Sequence, residues 1–372
     1  MKHKICVITA ARSEYGLLKW IIDSIYKDPE LELQLVVTGG HLSPEQGMTC
    51  KYIEEDGYPI AEKIEMLLSS TTKGGIAKSM GICSLCLANT FERLQPNLLL
   101  VLGDRYELLP IVSTALVMQI PIAHISGGDI TEGAIDDEIR NAITMMASLH
   151  FPGVEDSARN IIRMRGSAKN VFTVGEPGLD DFLYYQFWNK QQLAESLDID
   201  IKKKWCLVTL HPETRFSTKE NLKMVNNLAE VMEETNDIEF VITKANADYD
   251  GQAINAFWEE FTKQHPEYMH LYSSLGQIRY LSFMQQATFI LGNSSSGIVE
   301  APFMGIPVVN IGNRQKGRHI CQNVICCPAD KESIRKAMDE AIHQPRLVDT
   351  YWGDGHTSER IVQHLKEYLK NT

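Results

Sequence analysis

Five carboxylates and three glycines lie between Ser126 and Arg140, which makes this stretch the densest group of polar residues in the chain. Carboxylates this close repel one another, so some of their pKa values rise, and such groups can transfer protons near neutral pH. The alternative interpretation is a solvated acidic loop that caps a helix beginning near Asp137, which would have the same composition. However, the stretch follows a predicted strand, Pro121–Ile125, and open α/β sheets bind their ligands at this end of the strands. We therefore expect proton transfer here.

Charged residues also follow two other predicted strands in the first half of the chain. Arg12 follows the first strand, where Ser13 is a plausible N-cap and the helix N-terminus favours an anion such as a phosphate. An ordinary surface arginine is the alternative. Asp104 and Arg105 directly follow Leu98–Leu102. Asp104 could cap the next helix, but a charged pair beside a buried strand is costly unless it is used or exposed, which favours a carboxylate that points into a cleft.

In the second half, the residues that follow the predicted strands suit a diphosphate. The loop Gly292–Ser296 opens a helix, so its N–H groups and hydroxyls can bind an anion, assisted by the helix dipole. Glu300, about one turn into that helix, is within reach of ribose hydroxyls. His211 follows an earlier strand, and the basic cluster Asn313–Arg318 follows a later one. No Gly-Lys-Ser/Thr follows the serines, so the loop is not a P-loop.

Short apolar strands that alternate with amphipathic helices must position these residues. Strands that are apolar throughout are buried on both faces, and helical crossovers make them parallel. The pattern predicts a doubly wound α/β sheet and restarts in the second half. The predicted strands are Ile5–Thr9, Leu33–Thr38, Leu98–Leu102, Pro121–Ile125 and Val171–Val174, then Cys206–Leu210, Phe240–Thr243, His270–Tyr272, Phe289–Leu291 and Val308–Ile311.

Because the pattern of strands and helices begins again in the second half, we expect two Rossmann-like domains, residues 1–176 and 177–357. They are joined near the turn-rich stretch Gly175–Gly178. The final segment, Ser358–Leu369, is helical, with its apolar residues on one face. It could complete the second domain or pack across onto the first. Two such domains that face each other would form a cleft at the carboxyl ends of their strands.

Composition and length exclude several classes of protein. The chain has 372 residues, a net charge of −12 and 44% hydrophobic residues, so it is neither disordered nor suited to general nucleic-acid binding. No G-x-G-x-x-G fingerprint follows the first strand, which argues against NAD or FAD. No apolar run approaches the ~20 residues of a membrane span. The eight cysteines do not resemble a disulfide framework, and a cytoplasmic location is the default expectation.

Several motifs together resemble the hydrolysing UDP-N-acetylglucosamine 2-epimerases of bacterial sialic and nonulosonic acid biosynthesis. The resemblance covers nearly the whole chain in the right order. It implies a glycosyltransferase-B-like fold, with the C-terminal helix of residues 358–372 crossing back to the first domain. The non-hydrolysing epimerases carry Gly-Asp-Thr where this chain has Gly103-Asp104-Arg105, which favours the hydrolysing branch. The motifs are Arg12–Gly16, Val37–Ser43, Gly103–Arg105, His124–Arg140, and Gly292–Ser295 with Glu300 and Arg314.

The resemblance also implies roles for individual residues. Asp104 and Asp136 match carboxylates implicated in catalysis. Many relatives have Glu where this chain has Ser126, so Asp129 is expected to take over part of that role. UDP is expected mostly on the second domain, with Arg12 reaching over from the first and Arg105 in the substrate site. The remaining expected UDP-binding residues are His211, Asn246, Ser294, Ser295, Ser296, Glu300 and Arg314.

The implied reaction converts UDP-N-acetylglucosamine and water to N-acetylmannosamine and UDP through a glycal. It needs two proton-transfer groups but no metal or redox cofactor. The same reaction on UDP-2,4-diacetamido-2,4,6-trideoxyglucose, in the legionaminic acid pathway, is the alternative. A glycosyltransferase of the same fold and a non-catalytic nucleotide-sugar sensor are further alternatives. Relatives form dimers or tetramers, so a homo-oligomer is expected, with no nucleic-acid or membrane partner.

Overall fold

The computed structural model of the chain describes residues 2–70, 72–130, 135–213, 216–235, 237–245 and 251–371. It divides into two compact units, Met1–Leu183 with Gly353–Thr372, and Tyr184–Trp352. The sequence analysis expected the boundaries at residues 176 and 357. Among the described residues, no helix combines the length and the apolar character that crossing a membrane requires.

The first unit contains a six-stranded sheet with the order β3-β2-β1-β4-β5-β6, in which every neighbouring pair is parallel. Chain order reverses between β1 and β4, so the loops after these two strands lie at the switch point, where such sheets bind ligands. The elements are β1 (His3–Thr9), α1 (Arg12–Lys27), β2 (Leu31–Thr38), α2 (Cys50–Glu55), β3 (Ile60–Ile64), α3 (Lys73–Leu94), β4 (Leu98–Leu102), α4 (Leu108–Val117), β5 (Ile122–Ile125), α5 (Ile135–Met146), β6 (Leu149–Phe151), α6 (Glu155–Arg165), α7 (Asp181–Tyr184) and α14 (Thr357–Lys370).

The second unit repeats this architecture with the strand order β12-β11-β10-β7-β8-β9, again entirely parallel. Its switch point lies between β7 and β10. The elements are α8 (Lys190–Leu197), β7 (Lys204–Thr209), α9 (Thr218–Glu233), β8 (Ile238–Thr243), α10 (Gly251–Gln264), β9 (Met269–Tyr272), α11 (Gln277–Gln286), β10 (Phe289–Gly292), α12 (Ser296–Met304), β11 (Val308–Ile311), β12 (Val324–Cys327) and α13 (Lys331–His343).

The strands are apolar because both faces of each sheet are covered. In the first unit, one face of the sheet packs against α1 and the other against α3 and α4. The C-terminal helix α14 belongs to the first of these layers: Ile361 and Leu365 are fully buried against it. Burying such a side chain contributes about 1.5–3 kcal/mol, which holds the end of the chain on the first unit. Two Rossmann-like units with a C-terminal helix on the first agree with the expected fold.

Some local expectations were wrong or incomplete. Val171–Val174 is not a strand; only Val171 forms an isolated bridge, to His150, and β6 occupies the edge of the sheet instead. The sequence analysis missed β3 and β12, whose hydrophobic patterns are weaker because both strands lie at sheet edges. Ser13 is not the N-cap of α1, because the helix already begins at Arg12.

Candidate active site

The first unit builds its switch point around a buried carboxylate, Glu14. Its Oε2 accepts hydrogen bonds from the backbone N–H groups of Ala10 at 2.7 Å and Ala11 at 3.2 Å, which satisfies donors at the start of α1. Arg12, the expected phosphate ligand, is exposed in the same turn, and its guanidinium lies 5.2 Å from the centroid of the Tyr52 ring. Glu14 therefore holds the backbone of this turn in place, and the turn carries an exposed cation, Arg12.

Asp104, which follows β4, forms an ion pair with Arg140 of α5. The Arg140 side chain is 7% exposed, while that of Asp104 is 27% exposed. Arg140 also donates to the backbone oxygen of Asp129 at 2.9 Å and pairs with Asp137 at 3.4 Å. One buried guanidinium thus connects the loop after β4, the loop after β5 and the first turn of α5. The expected carboxylate Asp104 is held in one orientation at the end of its strand.

The two other candidate carboxylates have different environments. The Oδ1 of Asp129 accepts a hydrogen bond from the Ser157 hydroxyl at 2.5 Å, so this side chain is directed toward α6. Asp136 lies in the first turn of α5, and its residue is exposed. Partial desolvation raises the pKa of Asp136, and the negative charge of Asp104 raises it further. The charge of Asp104 therefore acts on Asp136, and the two carboxyl groups follow neighbouring strands, β4 and β5, of the first sheet.

Arg105 contacts two buried carboxylates that the sequence analysis did not select. Its guanidinium lies 2.9 Å from Glu107 and 3.6 Å from Glu14. Burial raises the pKa of Glu14 to about 7, against the opposing effect of its backbone hydrogen bonds and of Arg105. Glu107, at the N-cap of α4, has a side chain that is only 2% exposed. The sequence signal for Glu14 and Glu107 was a charged residue that lies a few positions after a buried strand.

His124 supports the loop that carries Asp104. It lies within β5 and is fully buried, with Nε2 2.8 Å from the Gly103 oxygen and Nδ1 3.3 Å from the Thr144 hydroxyl. Burial lowers the pKa of His124 to about 4, so the ring is neutral: Nε2–H donates to Gly103 and Nδ1 accepts from Thr144. A histidine inside an otherwise apolar strand was the sequence signal, and it was not used.

In the second unit, Asn293 links the loops that follow β7 and β10. Its Oδ1 accepts from the His211 backbone N–H at 2.7 Å, and its Nδ2 donates to the His211 oxygen at 2.9 Å. The approach is close because Gly292 has φ +134°, and a Cβ there would lie 2.0 Å from the Thr209 oxygen. This clamp brings His211 and the serine loop, both expected to bind UDP, to one switch point.

The serines begin α12, and Arg314 lies beside them. Ser295 and Arg314 are exposed, while Ser294 and Glu300 are partly buried. Arg314 Nη1 donates to the Asn293 oxygen at 3.3 Å, so this cation lies next to the serine loop. The N–H groups and hydroxyls at the start of α12, with a guanidinium at their side, are groups that can bind an anion. Asn246, also expected to bind UDP, lies outside the described residues.

Residues that the sequence analysis did not select hold the serine loop and the loop after β11 in place. Glu213 is 6% exposed and accepts the backbone N–H of Asn313 at 2.6 Å, and Gln315 donates to the Asn293 oxygen at 2.8 Å. These contacts join the ends of β7, β10 and β11. Each joins loops that are distant in sequence, so hydropathy patterns carry no signal for them.

Comparison with known proteins identifies a family that matches most of the chain. The sequence model of a family described as UDP-N-acetylglucosamine 2-epimerase matches residues 23–366. A GDP/UDP-N,N'-diacetylbacillosamine 2-epimerase (hydrolyzing) of Campylobacter jejuni is 39% identical over 324 residues, which cover 87% of this chain and 84% of that protein. A UDP-N,N'-diacetylbacillosamine 2-epimerase (hydrolyzing) of Legionella pneumophila is 30% identical, covering 98% of this chain and 96% of that protein.

The fold also matches a solved structure. The UDP-GlcNAc 2-epimerase of Neisseria meningitidis, crystallised with UDP-GlcNAc, superposes with a TM-score of 0.80 at 17% identity, covering 98% of this chain and 100% of that one. At this identity the likeness establishes the shared glycosyltransferase-B-like fold.

Proposed function

Because the chain belongs to the UDP-N-acetylglucosamine 2-epimerase family, we propose that it is a hydrolysing 2-epimerase that converts a UDP-sugar and water to UDP and the free C2-epimeric sugar. The observation that carries the proposal is the Asp104 carboxylate, which the buried Arg140 holds at the end of β4, together with a second carboxyl group, that of Asp136, whose pKa the charge of Asp104 raises. A sugar-nucleotide binding module has no need for such a pair.

We propose UDP-N,N'-diacetylbacillosamine, a 2,4-diacetamido-2,4,6-trideoxyglucose nucleotide, as the substrate. The names of the Campylobacter jejuni and Legionella pneumophila relatives support this choice, at 39% and 30% identity. The sequence analysis ranked UDP-N-acetylglucosamine first, and it remains the second candidate because the family description names it. N-Acetylmannosamine would then be the product, in place of a 2,4-diacetamido-2,4,6-trideoxymannose.

The second unit would bind the nucleotide. His211, Arg314 and the serines at the start of α12 would contact the diphosphate, where the helix N-terminus and a guanidinium favour negative charge. Glu300 and Asn246 would contact the ribose and base. Arg12 would contribute a further cation from the turn after β1. These groups stabilise the leaving diphosphate as its bond to C1 breaks.

The first unit would move the protons. As UDP leaves, positive charge at C1 acidifies the C2 proton, and a carboxylate removes it to give a glycal. Water then adds its hydroxyl to C1 while a proton returns to C2 from the opposite face, which inverts that carbon. We assign the first transfer to Asp104, which Arg140 orients, and the return of the proton to Asp136, the carboxyl group with the raised pKa. Asp129 would orient water or the sugar beside them.

The test is incubation of the full chain with each UDP-sugar separately in D₂O, followed by NMR. We expect release of UDP and a free manno-configured sugar with deuterium at C2, faster with the diacetamido substrate. Free sugar without deuterium would mean plain hydrolysis and would refute the elimination. UDP release that requires an added acceptor would identify a glycosyltransferase, and binding without turnover would identify a sensor.

We also propose that the protein is a homodimer or homotetramer. Three apolar side chains on α3 and α4, those of Leu85, Leu116 and Val117, are 74%, 48% and 82% exposed. Helix α4 carries no charged residue, which suits a surface that is covered in an oligomer.

A further inference from the structure

A chain of hydroxyl groups lies behind the serine loop of the second unit, and Tyr280 of α11 is at its centre. The Tyr280 hydroxyl lies 2.6 Å from the Ser296 hydroxyl and is also hydrogen-bonded to Thr209 and to Ser294. The Thr209 hydroxyl in turn lies 2.6 Å from that of Thr243. The hydroxyls come from β7, β8, α11 and the start of α12. No motif in the sequence joins these residues, and the proposed reaction does not use Tyr280.

The hydrogen bonds between these hydroxyl groups run in one direction. Ser296 donates its hydroxyl proton to Ser294 at 3.0 Å. Because a hydroxyl carries a single proton, the oxygen of Ser296 must accept from Tyr280. A phenol is a better donor than an aliphatic alcohol, so this order gives its proton to the serine.

Ser294 belongs to the same cluster of hydroxyls. Its oxygen accepts the Ser296 hydroxyl at 3.0 Å and the Ser296 backbone N–H at 3.4 Å. Tyr280 also contacts Ser294 directly, so one phenol contacts both serine hydroxyls at the start of α12. Hydrogen bonds in such a cluster polarise one another, and the start of a helix is where an anion is bound.

We propose that Tyr280 is a positioning residue for diphosphate recognition: its hydroxyl holds the hydroxyls of Ser294 and Ser296 in the arrangement that binds the diphosphate. The inference rests on the proposed function, because that function supplies the diphosphate. Burial and the nearby Glu300 carboxylate raise the pKa of Tyr280, so the phenol keeps the proton it donates.

The test replaces Tyr280 with Phe in the full chain and compares the binding of UDP and uridine by ligand-observed NMR titration. Y280F keeps the ring and removes the hydroxyl alone. We expect the Kd for UDP to rise about three- to tenfold, the effect of one misdirected hydrogen bond, while the Kd for uridine stays within about twofold. Tyr272→Phe is the matched control, since its hydroxyl donates to the Leu197 oxygen at 2.7 Å in the same unit; it should change neither value.

The possible outcomes separate this inference from the proposed function. If wild-type protein binds UDP and Y280F binds it equally well, or if Y280F weakens UDP and uridine alike, the positioning role is wrong while the proposed function stands. If wild-type protein does not bind UDP, the proposed function fails and this inference with it. Should Y280F not fold, Ser296→Ala breaks the same link and must show the same selective loss for UDP. Where both single variants fold, their losses of UDP affinity must not add in the double variant.

Discussion

The change Asp104→Asn separates catalysis from folding at the proposed site. It removes the carboxylate charge and keeps the size of the side chain, so the loop after β4 can retain its shape. Removing a proton-transfer group lowers turnover by about 10²–10⁴, equivalent to about 3–5 kcal/mol of activation free energy. UDP affinity should change less than about threefold, because the proposed UDP-binding residues lie mainly in the second unit.

The stability loss can be bounded from the contacts of Arg140. This guanidinium is 7% exposed, and breaking a fully buried ion pair costs about 3–5 kcal/mol. Asp104 itself is 27% exposed, and Arg140 keeps the Asp129 oxygen at 2.9 Å and Asp137 at 3.4 Å. We therefore expect a smaller loss, about 1–2 kcal/mol, visible as a lower urea midpoint with a folded protein at 25 °C.

The assay follows UDP release under saturating substrate, with UDP binding and urea unfolding measured on the same preparations. Asp137→Asn is the matched control, since Asp137 is the second carboxylate that pairs with Arg140. It should retain turnover within about threefold. Equal loss of turnover in both variants would mean that Asp104 acts only by holding Arg140. Loss of UDP binding in D104N would show that its assignment to proton transfer is wrong.

Three further predictions concern pH and assembly. Burial lowers the pKa values of His41 and His124 to about 4 and that of His150 to about 3, so the folded protein binds fewer protons than the unfolded chain. The contribution of these histidines to the free energy of unfolding is therefore fully present above about pH 6.5 and is lost as the pH falls toward 4. The urea midpoint should decline over this range, and a flat profile would contradict this prediction. The raised pKa of Glu14 changes stability with pH in the opposite direction. Its contribution to the free energy of unfolding is present below about pH 4.5 and is lost as the pH rises through about 7. Glu14→Gln removes this slope, so relative to wild type it should gain up to about 3 kcal/mol in urea unfolding between pH 5 and pH 8. Val117→Lys places a charge on the exposed apolar face and should shift the protein to a smaller species in sedimentation velocity, whereas an unchanged species would exclude this face as the interface.

The sequence predicted the fold well because hydropathy is a local property. β4 and β11 have the predicted bounds, and most other strands differ by one or two residues. The errors lie where the local pattern is weak: the three-residue edge strand β6, the edge strands β3 and β12, and the cap of α1. A short edge strand buries little apolar surface, so its sequence resembles that of a loop.

For the candidate site, the sequence by itself determined which residues follow the strands. It therefore placed Asp104 and Asp136 after strands of the first sheet, and His211 and the serine loop after strands of the second. Only the tertiary structure decided which partners these residues have. Arg140 pairs with Asp104, His124 supports the Gly103 loop, and the Tyr280 hydroxyl is hydrogen-bonded to Ser296. These partners come from elements distant in sequence, and a hydrogen bond depends on distances of a few tenths of an ångström. Local periodicity reports burial but not such distances, so the environment that sets each group's proton affinity appears only in the folded chain.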